Sequence, residues 1–299
     1  MAADQAGILS RRQLYAAGIT RGEVRANVRA GRWFRIGRQT ICVHGGPLSL
    51  AARHWVAIFE AGPRAQLDAG SSLIAAGLQN FSMEEIRVSV PRGGKIWRRT
   101  GYNIRQTRRW EAEDRAPGAL PRSRNDVAAV RHALWARTDR EAALVLTMVV
   151  QQGLATAEEL GEQMLRVRRD KRRAFIHSVI IDLLGGARSL GELDVAGECR
   201  RRGLPEPSRQ MVRKHKSGKY YLDVYWEEWG VVVEIDGIHH SWAQNVVADA
   251  LRHNDIALRR DIVLRLPLLG FRLERDVFFD QIAQALRESG CDLAVRRTA

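Results

Sequence analysis

Three acids near the end of the chain, Asp223, Glu234 and Asp236, have the type and spacing for metal-assisted hydrolysis, and Gly237, His239 and His240 follow directly. Residues 219–226 form a β-branched and aromatic run of strand length. Residues 229–236 form a near-continuous apolar run ending in acids, as a central strand buried on both faces reads. With Glu227 and Glu228 as the two loop residues of a hairpin, Trp226 pairs with Trp229, Asp223 with Val232 and Tyr221 with Glu234. Glu234 and Asp236 then share a face. Asp223 lies on that face too, diagonal to Glu234 at roughly 7 Å. Three converging carboxylates repel one another and are costly to bury. A hard cation with oxygen ligands relieves that cost, and Mg²⁺ takes one or two carboxylates plus waters. The alternative is that each acid pairs separately with one of the many arginines. Three on one face at a strand end favour the site.

His240 titrates near working pH and suits general acid or base work, although a capping or core-edge role fits its chemistry equally well. His239 points the other way on an extended segment. Upstream, Ser189 followed by Glu192 is a capping box, which opens a helix running to Arg202 and stopped by Gly203. A helix after Ser241 offers Asp249, Arg252 and His253 near the acids. Ile262 to Leu266 reads as a strand ended by Pro267, and residues 276–288 as an amphipathic helix with Phe278, Ile282, Ala285 and Leu286 on one face.

Over about residues 186 to 290 this pattern resembles the PD-(D/E)XK nucleases, in particular the Vsr-like branch. The residues carrying the likeness are Ser189-Leu-Gly-Glu192, Leu222-Asp223, Glu234-Ile-Asp236-Gly237 and His240. Leu222 stands where the family has proline, and Asp236 where it has lysine. In the Vsr-like branch that lysine is commonly missing and a histidine a few residues on serves the chemistry. The resemblance implies a restriction-endonuclease-like mixed sheet flanked by helices. It implies Mg²⁺ or Mn²⁺ held by Asp223, Glu234 and Glu192, with Asp236 in support and His240 as acid or base. Asp249 and Arg252 match supporting positions.

The elements at the other end of the chain suit delivery to a nucleic acid. Ser10 with Gln13, then Thr20 with Glu23, are capping boxes that open two short helices. Val24 and Val28 face a core, while Arg21, Arg25 and Arg29 form a basic stripe four residues apart. Two short strands, 33–36 and 39–43, hinge at Gly37-Arg38. Residues 1–40 hold eight arginines and only two acids, Asp4 and Glu23. Helix, turn, helix and β-wing is a winged helix-turn-helix plan whose second helix enters the major groove. The segment resembles the N-terminal domain of AbiEi-type antitoxins, which implies promoter DNA as the ligand, with Arg21, Arg25, Arg29 and the wing-tip Arg38 as its contacts.

A chain of 299 residues with 48 Lys plus Arg against 34 Asp plus Glu, net +14, implies several domains and a polyanionic partner. Three scattered cysteines, Cys42, Cys199 and Cys291, imply a reducing cytosol. No stretch reaches transmembrane length, and the start lacks the marks of a signal peptide. Residues 93–95, Gly-Gly-Lys, lack the spacing and the hydroxyl of a Walker loop. The run Arg166–Arg173, six cations and one acid, reads either as a solvated junction or as a phosphate-contacting surface.

The fold expected is a multidomain α+β or α/β chain. Residues 1–47 form the winged helix, 48–124 a small mixed α/β domain, 125–185 a helical connector and 186–299 the nuclease-like domain. The expected function is a Mg²⁺-dependent endonuclease on double-stranded DNA, cytoplasmic and nucleoid-associated, in repair or defence against foreign DNA. The alternative is a non-catalytic antitoxin-like repressor with an inactive nuclease fold and a toxin partner. A homodimer is open to either, and a membrane partner to neither. An RNA-processing nuclease is the weaker third reading.

Overall fold

Two capping boxes set the start of the chain. Ser10 Oγ accepts from the Gln13 N–H at 3.2 Å while Gln13 Oε1 accepts from the Ser10 N–H at 2.9 Å, and Thr20 with Glu23 repeats the exchange at 3.2 and 2.7 Å. They open α1 (Arg11–Ala16) and α2 (Arg21–Arg29). Around these lie β1 (Ile8–Ser10), β2 (Phe34–Arg35) and β3 (Thr40–Cys42), an antiparallel sheet in the order β1-β3-β2. Leu14, Val24 and Ile41 form the small core beneath them, one residue from each helix and one from the sheet.

The computed structural model describes residues 1–93, 100–184, 193–214, 220–236, 250, 254 and 263–293. The fold is mixed α+β and divides into two units, Met1–His132 and Ala133–Ala299. The first unit continues with α3 (Leu50–Ala61), capped by Ser49 and stopped by Gly62. Next come β4 (Gln66–Leu67), α4 (Ala69–Ala75), β5 (Ile86–Pro91) and β6 (Tyr102–Thr107). β4 is antiparallel to β5, whereas β5 and β6 run parallel with Ile86 opposite Tyr102. Helix α5 (Asn125–Trp135) carries Arg131, whose buried guanidinium sits 3.1 Å from Asp68 and 2.6 Å from Asp114. Asp68 also caps α4 and accepts from Ser123 Oγ at 2.9 Å.

His54 on α3 is buried, and that burial, with Arg53 beside it, pushes its pKa down to about 4. The unfolded chain therefore takes up this proton first as pH falls. The stability His54 contributes is whole above about pH 6.5 and is lost on the way down to about pH 4. The expected loss over that window is on the order of 3 kcal/mol. Urea melts at stepped pH read it, and His54→Leu should flatten that part of the profile.

The second unit opens with α6 (Asp139–Gln151), α7 (Ala157–Leu165) and α8 (Arg173–Leu184), with α6 and α7 packed on α8. Within the basic run, Arg172 is turned inward. It meets Asp139 at 2.7 Å and donates to the carbonyls of Ala136 and Arg137 at 2.5 and 3.0 Å. Those carbonyls lie just beyond the end of α5, where acceptors go unsatisfied. So Arg172 is neither solvated nor offered to a phosphate.

Asp194 caps α9 (Val195–Arg202), accepting from the Gly197 N–H at 2.7 Å. The helix expected from Ser189 to Arg202 is thus corrected, because Leu193 and Asp194 are not helical. Among the described residues the sheet that follows has four strands, β7 (Arg209–Lys214), β8 (Tyr220–Trp226), β9 (Val231–Asp236) and β10 (Val263–Pro267), in the order β10-β9-β8-β7. Of these strands β9 and β10 pair in parallel and the other neighbours antiparallel. Leu222, Val224, Trp226, Val231, Val233, Ile235, Leu264 and Leu266 are its buried face. Helix α11 (Arg275–Glu288) packs on β9 and buries Phe278, Phe279 and Ile282, while α10 (Leu268–Leu273) follows β10. Trp226 is fully buried, worth roughly 3 kcal/mol, and its indole N–H donates to the Pro205 carbonyl at 2.8 Å. Asn254 closes the outer edge of β10, accepting from the Arg265 N–H at 2.8 Å and donating to its carbonyl at 2.9 Å.

The β8–β9 hairpin corrects the expected two-residue loop. The connection is Glu227–Gly230, a 3-10 turn over Glu227–Trp229 closed by Gly230 at φ 62°. A two-residue reversal at Glu227-Glu228 demands positive φ from acids, whereas Gly230 supplies it without strain. The reversal therefore moves toward Gly230 and takes Trp229 into the loop. Asp223 consequently pairs with Glu234, Tyr221 with Asp236 and Trp226 with Val231. Among the described residues no helix is long and apolar enough to cross a membrane.

Candidate nucleic-acid interface and carboxylate site

Helical spacing sets Arg25 and Arg29 one turn apart on α2, beside the Gly37–Gln39 turn of the β2–β3 hairpin. A groove of about 600 Å³ runs between them. Five arginines line it, Arg11, Arg25, Arg29, Arg35 and Arg38, together with Val24, Val28 and Gln39. No acid is among the described residues that line it. Arginine stays charged at any working pH and presents planar donors that match phosphate oxygens. Two of the five also brace the turn: Arg11 Nε donates to the Arg38 carbonyl at 3.0 Å and Arg35 Nε to the Gly37 carbonyl at 3.2 Å.

Of the four arginines named from sequence, Arg25, Arg29 and Arg38 meet in this groove and Arg21 does not line it. Arg21 lies over the Tyr15 ring, 5.8 Å from its centroid. Arg11 and Arg35 were missed because neither lies on the α2 stripe, and only the folding of β1, α1 and β2 around α2 brings them to it. The one sequence signal for them was the arginine count.

In the second unit, Asp223 and Glu234 stand directly opposite across β8 and β9 and so share one face. The same register level continues to Met211 on β7 and Arg265 on β10. Asp223 is 5% exposed, and its Oδ2 accepts from the Tyr225 hydroxyl at 3.1 Å. The Tyr225 ring in turn lies under the Arg209 guanidinium, 4.5 Å from centroid to carbon. Glu234 is more open and has Arg265 Nε 3.5 Å from its Oε2. Asp236 is exposed at the strand end, one pleat beyond Glu234.

Two carboxylates therefore face each other, and the third stands further out. Among the described residues no three His, Cys, Asp or Glu side chains gather closely enough to hold a metal ion. The expected convergence of three is corrected to a pair with Asp236 beyond it. Glu192, His239, His240, Asp249 and Arg252 lie outside the described residues. The donor set still suits Mg²⁺ or Mn²⁺: hard oxygens, one carboxylate buried and held by a hydroxyl, the other within reach of solvent. Arg265 is the competing cation at Glu234.

No family model and no curated protein matches the chain. Among solved structures it is similar to the crystal structure of RV2827C protein from Mycobacterium tuberculosis, at 18% identity over 64% of this chain and 76% of that one, with a TM-score of 0.42. A likeness that distant carries no statement about site or activity.

Proposed function

We propose that this chain grips double-stranded DNA with its N-terminal unit and hydrolyses a phosphodiester at the carboxylate pair of its second unit. The observation that carries the reading is the five-arginine groove between α2 and the hairpin turn. In the winged-helix reading, α1 and α2 are the helix-turn-helix, β2 and β3 the wing, and α2 enters the major groove. The resemblance to AbiEi-type domains supports that assignment, and a DNA partner would place the protein at the nucleoid.

For the hydrolytic half, support comes from the register. Asp223 and Glu234 would hold Mg²⁺ or Mn²⁺, which lowers the pKa of a bound water and offsets charge on the scissile phosphate. Tyr225 would keep the Asp223 carboxylate in one orientation through its hydrogen bond. Arg209 and Arg265, both well exposed on that face, would steady the phosphate. The Vsr-like resemblance adds His240 as the group that moves a proton at the attacking or leaving oxygen, with Glu192 and Asp236 in support.

A second reading is an antitoxin-like repressor that binds without cutting, with a toxin as partner. It is favoured by the Arg265–Glu234 ion pair, which already neutralises one carboxylate without a metal.

Binding is read by fluorescence anisotropy of a labelled duplex at stepped salt. Five phosphate contacts give a slope of log K against log salt of about −4.5. Arg25→Ala and Arg29→Ala should each weaken binding roughly tenfold and make the slope shallower by about one. Unchanged affinity in the double variant would remove α2 from the interface.

A further inference from the structure

We infer that Glu60 is a positioning residue for DNA engagement, holding the Gly37–Thr40 turn so that Arg38 stands at the arginine groove. The inference rests on the DNA-binding reading above. Glu60 is in the last turn of α3, on neither the stripe nor the wing. Its Oε2 accepts from the Arg38 N–H at 3.0 Å, and its Oε1 accepts from the Gln39 N–H and the Thr40 hydroxyl, each at 2.7 Å. Three donors from three consecutive residues thus converge on one carboxylate.

The other side of the turn is tied as well, since Arg11 and Arg35 donate to the carbonyls of Arg38 and Gly37. The N–H groups of Arg38 and Gln39 go to an acid, and the C=O groups of Gly37 and Arg38 go to two of the arginines that line the groove. Position 37 must be glycine for this approach, because a Cβ there would lie 2.3 Å from Glu60 Oε1 and 2.4 Å from Cδ. The turn also divides two hollows, the groove and a second of about 590 Å³ walled by Arg12, Phe59 and Pro63, with Arg38 reaching both.

An acid beside such a groove is a liability if charge alone matters, because it repels phosphate. Charge and position therefore predict opposite signs. Removing the charge should tighten binding by electrostatics, whereas releasing the turn should weaken it. Glutamine separates the two. It matches glutamate in shape, but one of its two ends is an NH₂ that cannot accept from an N–H.

The test uses the full chain as parent, Glu60→Gln, Gly37→Ala, Arg38→Ala and Glu60→Gln with Arg38→Ala. Glu60→Gln is expected to bind the labelled duplex roughly three- to tenfold more weakly than the parent, although it has lost a negative charge, with a salt slope shallower by about one. The double variant should be no weaker than Arg38→Ala alone, since both changes remove one contact. Amide hydrogen exchange at Arg38 and Gln39 should be faster in Glu60→Gln by roughly tenfold or more, a readout that needs no DNA. Gly37→Ala pushes the Glu60 carboxylate off the same turn and should match Glu60→Gln, which keeps the test alive if one variant folds poorly. Equal or tighter binding by Glu60→Gln, from a parent that binds, overturns the inference alone. A parent that does not bind duplex overturns the reading beneath it, and the inference with it.

Discussion

Asp223→Ala and Glu234→Ala are each expected to lower Mg²⁺-dependent nicking of supercoiled plasmid by roughly a thousandfold or more, about 4 kcal/mol of transition-state stabilisation. The two side chains lie opposite each other in the register, so neither can be replaced by a neighbour. Asp223 is also buried, and its alanine variant leaves the Tyr225 hydroxyl without its carboxylate acceptor. Asp236→Ala, one pleat away and exposed, should cost much less. Chelation with EDTA should silence the parent, and Mn²⁺ should restore it. Nicking that survives equally in both alanine variants, or is absent from the parent, leaves the repressor reading in possession.

The second large effect is on stability. Arg131→Met should cost the N-terminal unit about 3–5 kcal/mol, because it strands two buried carboxylates. Asp68 and Asp114 have side chains 0% and 3% exposed, so water cannot take the place of the guanidinium. Arg131 also donates to the Arg109 carbonyl, which ties the connection after β6 to α5. Urea denaturation gives the figure. The decisive comparison is Arg131→Met with Asp68→Asn and Asp114→Asn, which removes the stranded charges and should recover most of the loss. A single variant within 1 kcal/mol of the parent would contradict this account of the triad.

What could be read from sequence was local. Ser10 with Gln13 and Thr20 with Glu23 announce helices because both halves of each cap lie within four residues, and both are formed. Phe278, Ile282, Ala285 and Leu286 declared the buried face of α11 by period alone. Strand β7 was not legible, since Arg-Gln-Met-Val-Arg-Lys puts its two apolar residues side by side and carries the cations of an edge strand. The hairpin register was missed for want of a way to rank Gly230 over Glu227-Glu228 as the point of reversal. Glu60 and Arg131 find partners about twenty and about sixty residues away, a separation no spacing rule reaches.

The reversal at Gly230 also sets a rule of parity for the chain's descendants. Adding or deleting two residues between Trp226 and Val231 slides β9 past β8 and keeps both acids on the same side. A slip of one would evert Glu234 into the apolar layer and send Val233 out in its place. A single residue inserted in this loop must therefore be taken up within the loop itself wherever the acid pair is under selection.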